Sequence, residues 1–407
     1  KMLTKTSVKK EFLCDMAFLT TIGSKIFLYP FEGRTGYKII GYTTVCCLIY
    51  ITIAQLFLTL FVTGFHDLID ISNIAPNIGV CILTVIKYTK IYTHRKLYHA
   101  IITHYQKYMW SIIQMNDIKN LKTIVKYKSV SYFINKILYY YSLPLIIIIV
   151  SLPLIVMFYN KKFNDNEFEY LYPFDGWYPF DKVIWFYFIY AWESFMTALV
   201  IYTFAFSDMI NMSCVAYMCM ELSVLSNLLT NLITNEDIED LKKFKNIFKI
   251  HQRIRRSLKI IIKRHQFLNK LAQGLDLALE DVSLINYIFG SVFICLTAFT
   301  FTFIDDLYKK IRYFFFFISL NFVILNQSII GQILSDHSVK LTNAIYSSNW
   351  IYADRTTKTT LLYLMMKTQI PFTLTAKGYI SMNLNTMTQV TSTSYQYYNL
   401  LRCIYHS

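Results

Sequence analysis

The sequence predicts an all-α membrane protein with seven transmembrane helices, a cytosolic N-terminus, an extracellular C-terminus and cytosolic helical extensions. The 407 residues are 55% hydrophobic and only 16% charged, with a mean hydropathy of +0.38, which excludes an ordinary soluble globule. Seven segments are long and apolar enough to be drawn as helices that cross a bilayer. Lys and Arg residues are concentrated in alternate connecting segments, which sets the orientation.

The spans are drawn from runs of apolar residues. Pro76 in the second span and Pro144 and Pro153 in the third are expected to kink those helices, which neighbouring helices can accommodate. The seven predicted spans are Ile39–Val62, Leu68–Thr89, Ile137–Tyr159, Val183–Phe206, Ile285–Ile304, Tyr313–Leu334 and Tyr379–Leu401.

The orientation follows from the basic residues between the spans. Segments 1–38, 90–136, 207–284 and 335–378 hold 32 Lys and Arg residues, whereas 63–67, 160–182, 305–312 and 402–407 hold 7. Basic loops stay in the cytosol, so the first set is cytosolic and the second is extracellular. The net charge of +15 is therefore interpreted as membrane topology, and no nucleic-acid partner is expected.

The chain divides accordingly into six parts. These are a cytosolic N-terminal segment (1–38), spans one to four with an outer loop at 160–182 (39–206), a cytosolic helical extension (207–284), spans five and six (285–334), a cytosolic helix and connection (335–378), and the last span with a short extracellular tail (379–407).

Two of the connecting segments carry more pattern than a simple loop. From Asn235 to Ile262 an acidic start is followed by apolar residues at helical spacing with basic residues between them. This pattern fits a membrane-surface helix, a calmodulin-type target or a packed intersubunit bundle. The 160–182 loop, with Pro173, Gly176, Pro179 and an aromatic run, fits either a folded cap or an interfacial aromatic belt.

The last span is unusually polar. Twelve of its 23 residues are Ser, Thr, Asn or Gln, and none is charged. Such a helix either lines a water-filled pore or is buried among other helices that satisfy its polar groups. Spacings of four and three place one polar stripe on a single helix face: Asn385, Gln389, Ser392, Gln396, Asn399 and Cys403.

The outer halves of spans two, three, four and six are rich in aromatic and branched aliphatic residues with scattered polar groups. This mixture suits a pocket for a small, volatile, mostly apolar ligand, and it equally suits ordinary core packing. The candidate pocket residues are Asn77, Ile149, Val150, Leu154, Tyr187, Tyr190, Ser194, Phe316, Phe317, Leu320 and Asn321.

Signatures of an enzyme, a metal site or a cofactor site are absent from the sequence, so no catalytic residue, metal or cofactor is expected. His94, His99 and His104 are five residues apart and therefore rotate around a helix. Glu193 is an acidic residue inside a span, for which a satisfied interhelical hydrogen bond is favoured over a functional role. Asp276 and Glu280 form either an acidic ring in an oligomer or a solvated pair held by a lysine such as Lys270.

Several stretches of the chain strongly resemble the insect odorant receptors. The length and the inverted seven-span arrangement agree with that family, and the last 65 residues carry the specific part of the resemblance. The resembling stretches are Ala344–Trp350, Met366–Pro371, Leu374–Tyr379, Asn383–Thr386, Thr393–Leu401 and, before span four, Trp177–Asp181.

This resemblance implies an odorant-gated, non-selective cation channel of the plasma membrane of sensory dendrites. Members form tetramers in which a variable subunit joins a longer, common olfactory co-receptor, and this chain is similar in length to the variable subunit. The seventh helix would line the pore with a constriction at Leu400, beside Arg402, and the cytosolic helices would form an intersubunit anchor. The alternative, a G-protein-coupled chemoreceptor, is disfavoured by the topology and by the missing Asp/Glu-Arg-Tyr and Asn-Pro-x-x-Tyr motifs.

Overall fold

The computed structural model describes residues 4–29, 36–63, 68–111, 117–163, 170–174 and 176–406. Within these ranges the chain is helical except for short turns and one hairpin, in which β1 (Thr375–Ala376) pairs antiparallel with β2 (Ile380–Ser381). The α-helices are α1 (Lys5–Lys25), α2 (Gly36–Thr63), α3 (Leu68–Thr93), α4 (Arg95–Thr103), α5 (Ile118–Phe163), α6 (Phe186–Thr230), α7 (Asn235–Lys242), α8 (Ile247–Phe303), α9 (Leu307–Tyr346), α10 (Arg355–Thr368) and α11 (Leu384–His406).

Six helices in the described ranges are long and apolar enough to cross a membrane: α2, α3, α5, α6, α8 and α9. The seventh predicted span, α11, is 23 residues long, but its polar composition separates it from these six. The helices α5, α6, α8 and α9 contain 46, 45, 57 and 40 residues, whereas a single span needs about 20. The predicted all-helical membrane fold is confirmed, and these four helices continue well beyond one bilayer thickness.

The core lies around the lower half of α6. Between Phe206 and Leu225 this helix is buried on nearly all sides, because α5, α8 and α9 surround it. A helix that is apolar all round is stable only in such a position. The N-terminal helix α1 packs against the same core through Phe12, whose ring lies 5.8 Å from Trp110 and 5.2 Å from Tyr217.

The outward faces of α2 and α5 remain apolar and exposed. Phe61 in α2 and Phe158 in α5 are 68% and 72% exposed, and Ile147 and Ile155 are also largely uncovered. Large apolar side chains in such a continuous band are stable when lipid covers them. These faces are consistent with the placement of both helices at the perimeter of the bundle.

The amphipathic region that begins at Asn235 is not one helix. The helix α7 starts with a reciprocal cap, in which Asp237 N–H donates to the Thr234 hydroxyl and Thr234 N–H donates to the Asp237 carboxylate. It ends at Lys242, because Phe244 and Asn246 adopt left-handed backbone angles (φ 54° and 51°) that break the helical path before α8. The prediction of an uninterrupted helix from 235 to 262 is therefore wrong, although the acidic start is a genuine cap.

The last span also begins later than predicted. Residues 377–379 form the tight turn between β1 and β2, and Lys377 and Gly378 in it adopt φ of 53° and 73°, which turns the chain back. Asn383 then caps α11, because its Oδ1 accepts from Thr386 N–H at 2.8 Å. The predicted start at Tyr379 is thus wrong by five residues, since the Lys377-Gly378 turn and the asparagine cap override the hydropathy pattern.

Candidate functional site

One cavity, which we call the principal cavity for its place inside the bundle and not for its size, lies between α3, α5, α6 and α9 and has a volume of about 130 Å³. Its lining on α9 runs from Tyr308 to Val323, which corresponds to about 22 Å at the helical rise of 1.5 Å per residue. Most of the wall is aliphatic or aromatic. The lining residues that bear on its chemistry are Tyr141, Ile149, Phe204, Asp208, Asn286, Arg312, Phe316, Ser319 and Leu320.

A few polar groups are placed in this apolar wall. The Tyr141 hydroxyl lies 2.8 Å from the Ser319 hydroxyl and joins α5 to α9. Arg312 lines the end nearest the start of α9, and its guanidinium carries a permanent charge with five N–H donors. The cavity thus combines a large apolar surface with polar groups at defined positions, as small-molecule sites do.

Asp208 lines the opposite end of the cavity, where its charge is offset. The Lys87 ammonium lies 2.6 Å from the Asp208 carboxylate and is only 4% exposed. The same ammonium lies 3.5 Å from the centre of the Phe204 ring, so it also makes a cation–π contact. An ion pair and an aromatic face together compensate for the removal of both charges from water.

A smaller cavity of about 80 Å³ adjoins the first and shares Ile149, Arg312 and Phe316 with it. Pro173 and Phe174 of the outer loop form its roof, and Asn77 lines its wall. Because Arg312 borders both spaces, its guanidinium lies at the junction between them. The two cavities therefore define one site that extends from the outer loop into the helical bundle.

The outer loop is held over this site by Glu193. That side chain is 0% exposed, and its carboxylate accepts from Phe174 N–H and Gly176 N–H at 3.0 Å and from the Tyr178 hydroxyl at 3.2 Å. Trp177 N–H donates to the Thr59 hydroxyl at 2.7 Å, which ties the loop to α2 as well. Of the two interpretations of the loop, the described residues support a folded cap. The Glu193 carboxylate accepts hydrogen bonds from loop groups, whereas the sequence favoured a bond between helices.

The candidate pocket residues are only partly brought together. Ile149, Phe316 and Leu320 line the principal cavity, Asn77 lines the smaller one, and Phe317 lines a separate cavity beside α11. The remaining candidates lie outside the lining of these three spaces: Val150, Leu154, Tyr187, Tyr190, Ser194 and Asn321.

These six residues have other placements. Tyr187 is 87% exposed on the outer surface of α6. The Tyr190 hydroxyl donates to the Val150 carbonyl oxygen. Val150 lies in the turn of α5 before Pro153, a residue that has no backbone N–H to donate. Asn321 donates to the Phe317 carbonyl within its own helix at 2.8 Å. Tyr190 and Asn321 therefore use their polar groups within the helical framework.

The sequence analysis did not find Tyr141, Asp208, Asn286, Arg312 and Ser319. Two of them, Asp208 and Arg312, lie in segments that were assigned to loops, and Asn286 lies at the edge of a predicted span. None of the three was therefore predicted to line a cavity. Tyr141 and Ser319 lie in predicted spans, and their polarity was the available signal. Their pairing across 178 residues is not visible from local pattern.

The polar stripe of α11 faces away from the rest of the chain. Asn385, Gln389, Ser392, Gln396 and Cys403 are exposed, Leu400 is 59% exposed, and Asn399 is half-buried. The opposite face packs on α8 and α9 through Thr386, Val390 and Ser394, which are all buried. Between α11, α8 and α9 lies the third cavity, of about 330 Å³, which Thr302, Phe317 and Tyr398 help to line.

Two acidic residues of α8, Asp276 and Asp281, hold the hairpin of β1 and β2. The Asp276 carboxylate accepts from Thr375 N–H at 2.5 Å, and the neighbouring Asp281 pairs with Lys377 at 2.8 Å. Glu280 lies close enough to Lys377 to contribute to its charge environment. The interpretation of Asp276 and Glu280 as a free acidic ring is not supported for Asp276, whose carboxylate serves the turn before α11.

The three evenly spaced histidines have separate partners. His94 Nδ1 lies 3.1 Å from the Lys90 carbonyl oxygen, and His99 Nε2 lies 3.1 Å from the Thr103 hydroxyl. His104 Nε2 lies 2.9 Å from Glu221, whose other carboxylate oxygen is 3.3 Å from Arg264. Across the described residues, no group of three or more His, Cys, Asp or Glu side chains is arranged to hold a metal ion.

The fold and the cavity define a multi-pass helical membrane receptor. The family model described as 7tm Odorant receptor matches residues 71–395, which is well over half of the chain. The chain therefore belongs to the odorant receptor family.

Relatives in Drosophila melanogaster agree with this assignment. Odorant receptor 13a is 24% identical over 280 residues, which cover 64% of this chain and 64% of that protein. Odorant receptor 67c is 25% identical over 255 residues, which cover 60% of this chain and 59% of that protein. The chain thus spans less than two thirds of the length of these relatives.

The fold is similar to that of a solved insect receptor. The structure of the insect olfactory receptor OR5 from Machilis hrabei in complex with eugenol superposes with a TM-score of 0.77 at 14% identity, covering 97% of this chain and 100% of that one. A second structure of the insect olfactory receptor OR5 from Machilis hrabei matches with a TM-score of 0.77 at 14% identity, covering 96% of this chain and 99% of that one. The all-helical receptor architecture is therefore shared over nearly the whole length.

Proposed function

We propose that this chain is the variable, ligand-binding subunit of an odorant-gated, non-selective cation channel. It assembles with olfactory co-receptor subunits as a tetramer in the plasma membrane of sensory dendrites. The observation that carries the proposal is the pairing of a capped apolar cavity inside the bundle with a polar stripe on α11 that faces away from the subunit. The first feature suits a volatile ligand, and the second suits a wall of a shared pore.

The ligand is an elongated, mostly apolar molecule with a hydrogen-bond acceptor. The length of the lining favours a ligand with a carbon chain or with a ring that carries a substituent, and the aliphatic wall favours hydrocarbon groups. Arg312 supplies N–H donors at the junction of the two cavities, and a guanidinium donates but never accepts. An ester, aldehyde or ketone oxygen, or the phenol and ether oxygens of a molecule such as eugenol, provides the matching acceptor.

The pore is formed by α11 from each subunit. Its stripe offers amides and hydroxyls that hydrate a passing cation without binding it through a fixed charge. Leu400 extends from the same side near the outer end, 59% exposed in the isolated chain, and a ring of such leucines closes a pore by dewetting. Arg402 is exposed two residues further on, and its place at the flank of the stripe suits a contact with a neighbouring subunit.

Assembly is supported by apolar surface on the cytosolic extensions. Tyr363 and Ile370, in or next to α10, are both 65% exposed, and Phe244 and Phe248 near the start of α8 are 83% and 73% exposed. Clusters of large apolar side chains in water mark interaction sites. Among the three interpretations of 207–284, this surface favours an intersubunit anchor.

Whole-cell current tests the proposal. The chain is expressed in cells with and without an insect olfactory co-receptor, with surface labelling as the control, and is challenged with matched C6–C10 esters, aldehydes, ketones, alcohols and acids and with eugenol. Odorant-evoked cation current that requires both chains supports the proposal. Current from this chain alone would refute the obligate co-receptor, and surface-expressed complexes that stay silent to the whole panel while an agonist of the co-receptor opens them would refute ligand gating by this subunit.

A further inference from the structure

The ligand cavity is connected to α11 by a chain of buried polar side chains. Asn286 of α8 lines the principal cavity and is 3% exposed. Its Nδ2–H donates to the Gln327 Oε1 atom of α9. The Gln327 Nε2–H then donates to the Ser283 hydroxyl at 2.5 Å. The bonds therefore return from α9 to α8 one turn below Asn286.

The last bond of this chain reaches the segment that leads into α11. The Ser283 hydroxyl donates to the Met382 sulfur at 3.2 Å. Met382 is the residue before the Asn383 cap of α11, and its own N–H donates to the Leu374 carbonyl at 2.9 Å. The four side chains, Asn286, Gln327, Ser283 and Met382, form what we call the polar relay. All four are between 0% and 9% exposed, so water has little access to replace their bonds.

The relay has one direction. Each donor belongs to the residue nearer the cavity, from the Asn286 amide through the Gln327 amide to the Ser283 hydroxyl and the Met382 sulfur. Hydrogen bonds aligned in this way polarise one another, so a change at the first bond alters the strength of the next. Because a buried amide that loses its partner is strongly penalised, Gln327 must find a new arrangement whenever Asn286 moves.

Met382 is held tightly at the receiving end. A Cβ added to Gly331 of α9 would lie 2.0 Å from the Met382 carbonyl oxygen, so the two backbones are in close contact. Asp276 fixes the adjoining hairpin through Thr375 N–H. The segment before α11, which carries Met382, is therefore held against α8 and α9, and the other three relay residues lie on those two helices.

We propose that the polar relay couples occupation of the ligand cavity to the position of α11. A ligand that shifts the Asn286 amide changes the bond to Gln327, and the change is passed through Ser283 to the residue that precedes the α11 cap. This inference rests on the proposed function, because it supplies the link between ligand binding and channel opening. A ligand shifts such an equilibrium only through different contacts in the two states, and the Asn286 amide supplies that difference.

The test separates ligand binding from channel opening. Gln327→Met keeps the length and volume of the side chain and removes both relay bonds. The matched control is Gln332→Met on the same helix, where the native side chain bonds only to Asp336 within α9. The probe is the panel ester, aldehyde or ketone that evokes the largest wild-type current. Binding is followed by the ligand-induced rise in the melting temperature of the detergent-purified complex, and opening by whole-cell current.

The relay predicts that Gln327→Met binds the probe within about threefold of wild type but loses about fivefold or more of the maximal probe-evoked current, in the range of typical coupling constants. Current evoked by an agonist of the co-receptor should persist, which shows that the complex is folded and assembled. Unchanged probe-evoked current in Gln327→Met overturns the relay, as does an equal loss in Gln332→Met. A surface-expressed wild-type complex in which no panel compound evokes current, although an agonist of the co-receptor opens it, overturns the proposed function itself.

Ser283→Ala provides a second, milder test. It removes the bond to Met382 and the acceptor of the Gln327 amide, and it leaves the cavity lining untouched, since Ser283 is not part of that lining. The relay predicts reduced maximal current with unchanged probe binding, in the same direction as Gln327→Met. Normal maximal current in Ser283→Ala would overturn the two steps of the relay that pass through Ser283.

Discussion

Glu193→Gln is expected to open the cap over the ligand site. The native carboxylate is fully buried and accepts three hydrogen bonds, from Phe174 N–H, Gly176 N–H and the Tyr178 hydroxyl. Glutamine replaces one acceptor oxygen with an NH₂ group, so at least one buried loop donor loses its partner. Such a loss costs about 1–3 kcal/mol, which reduces the equilibrium constant for cap closure by about 5- to 150-fold.

The open fraction of the cap rises by the same factor, because Phe174 and Pro173 form the roof of the smaller cavity. We expect odorant-evoked current to decay about fivefold faster or more after washout, and the half-maximal odorant concentration to rise. Patch-clamp recording with rapid solution exchange measures both quantities. Current evoked by an agonist of the co-receptor should be unchanged, since the pore helix is not altered.

Two further variants decide whether the effect belongs to the cap. Asp181→Asn removes an exposed carboxylate of the same loop that accepts only from Val183 N–H, and it should leave washout unchanged. Gly176→Ala should mimic Glu193→Gln, because an added Cβ would lie 2.4 Å from the Gln55 amide nitrogen and must displace the loop or that side chain. Normal washout in Glu193→Gln, or an equal change in Asp181→Asn, would refute the role assigned to the cap.

Three more outcomes are expected. Leu400→Ala should raise the current without odorant about tenfold, in line with the loss of a dewetted constriction; a basal current equal to wild type in whole-cell recording would remove Leu400 from the gate. Arg312→Leu should raise the half-maximal concentration of the panel esters and ketones about tenfold or more while sparing matched alkanes, since a hydrogen bond to a charged group contributes about 1.5–3 kcal/mol. Lys310→Leu is the control. Equal shifts for all ligands would mean that the substitution acts through the shape of the cavity. Burial lowers the pKa of His265 below its usual value of 6.5, so the unfolded chain binds more protons and stability falls as the pH drops below about 6.5. The melting temperature of the purified complex should therefore fall between pH 7.5 and 5.5, and it should fall less in His265→Met. An identical fall in both proteins would exclude His265 as the cause.

Much of the helical framework could be predicted from the sequence because hydropathy and periodicity are local properties. The six apolar spans follow from runs of about 20 apolar residues. The polar face of α11 follows from spacings of three and four, and the structure places it away from the rest of the chain. That this face lines a pore remains a prediction, since it concerns how several subunits meet.

The hairpin before α11 was missed for a physical reason. Tyr379 and Ile380 continue an apolar pattern that fits a helix, but Gly378 and Lys377 adopt positive φ and turn the chain back. The turn is held by Asp276, about 100 residues earlier. Such long-range support overrides local propensity, and no local pattern reports it.

The lining of the principal cavity was predicted in part. Membrane depth alone selected Ile149, Phe316 and Leu320, which line that cavity; that they bind a ligand remains a prediction. Tyr190 was assigned to the wall by the same reasoning, yet its hydroxyl is used by the Val150 carbonyl on α5. Arg312 was counted only as a basic residue of the 305–312 segment, although a charge at the end of a span can still reach a cavity.

The buried pair of Lys87 and Asp208 has a consequence for how the protein is made. The span that carries Lys87 has a mean hydropathy of 1.3, the lowest of the six candidate spans. A lysine at membrane depth opposes insertion by up to about 2.5–3.5 kcal/mol, and its partner lies 121 residues further along the chain. At about 5–20 residues per second, the ribosome delivers Asp208 roughly 6–24 s later.

Until Asp208 arrives, α3 holds an uncompensated charge and is expected to sit unstably in the translocon. Biogenesis would then be ordered, with α3 settling only after α6 has been synthesised. Ribosome-bound truncations that end before and after Asp208 test this order: accessibility of a cysteine beside Lys87 to a membrane-impermeant reagent should fall only in the longer chain. Equal protection in both would show that α3 inserts without its partner.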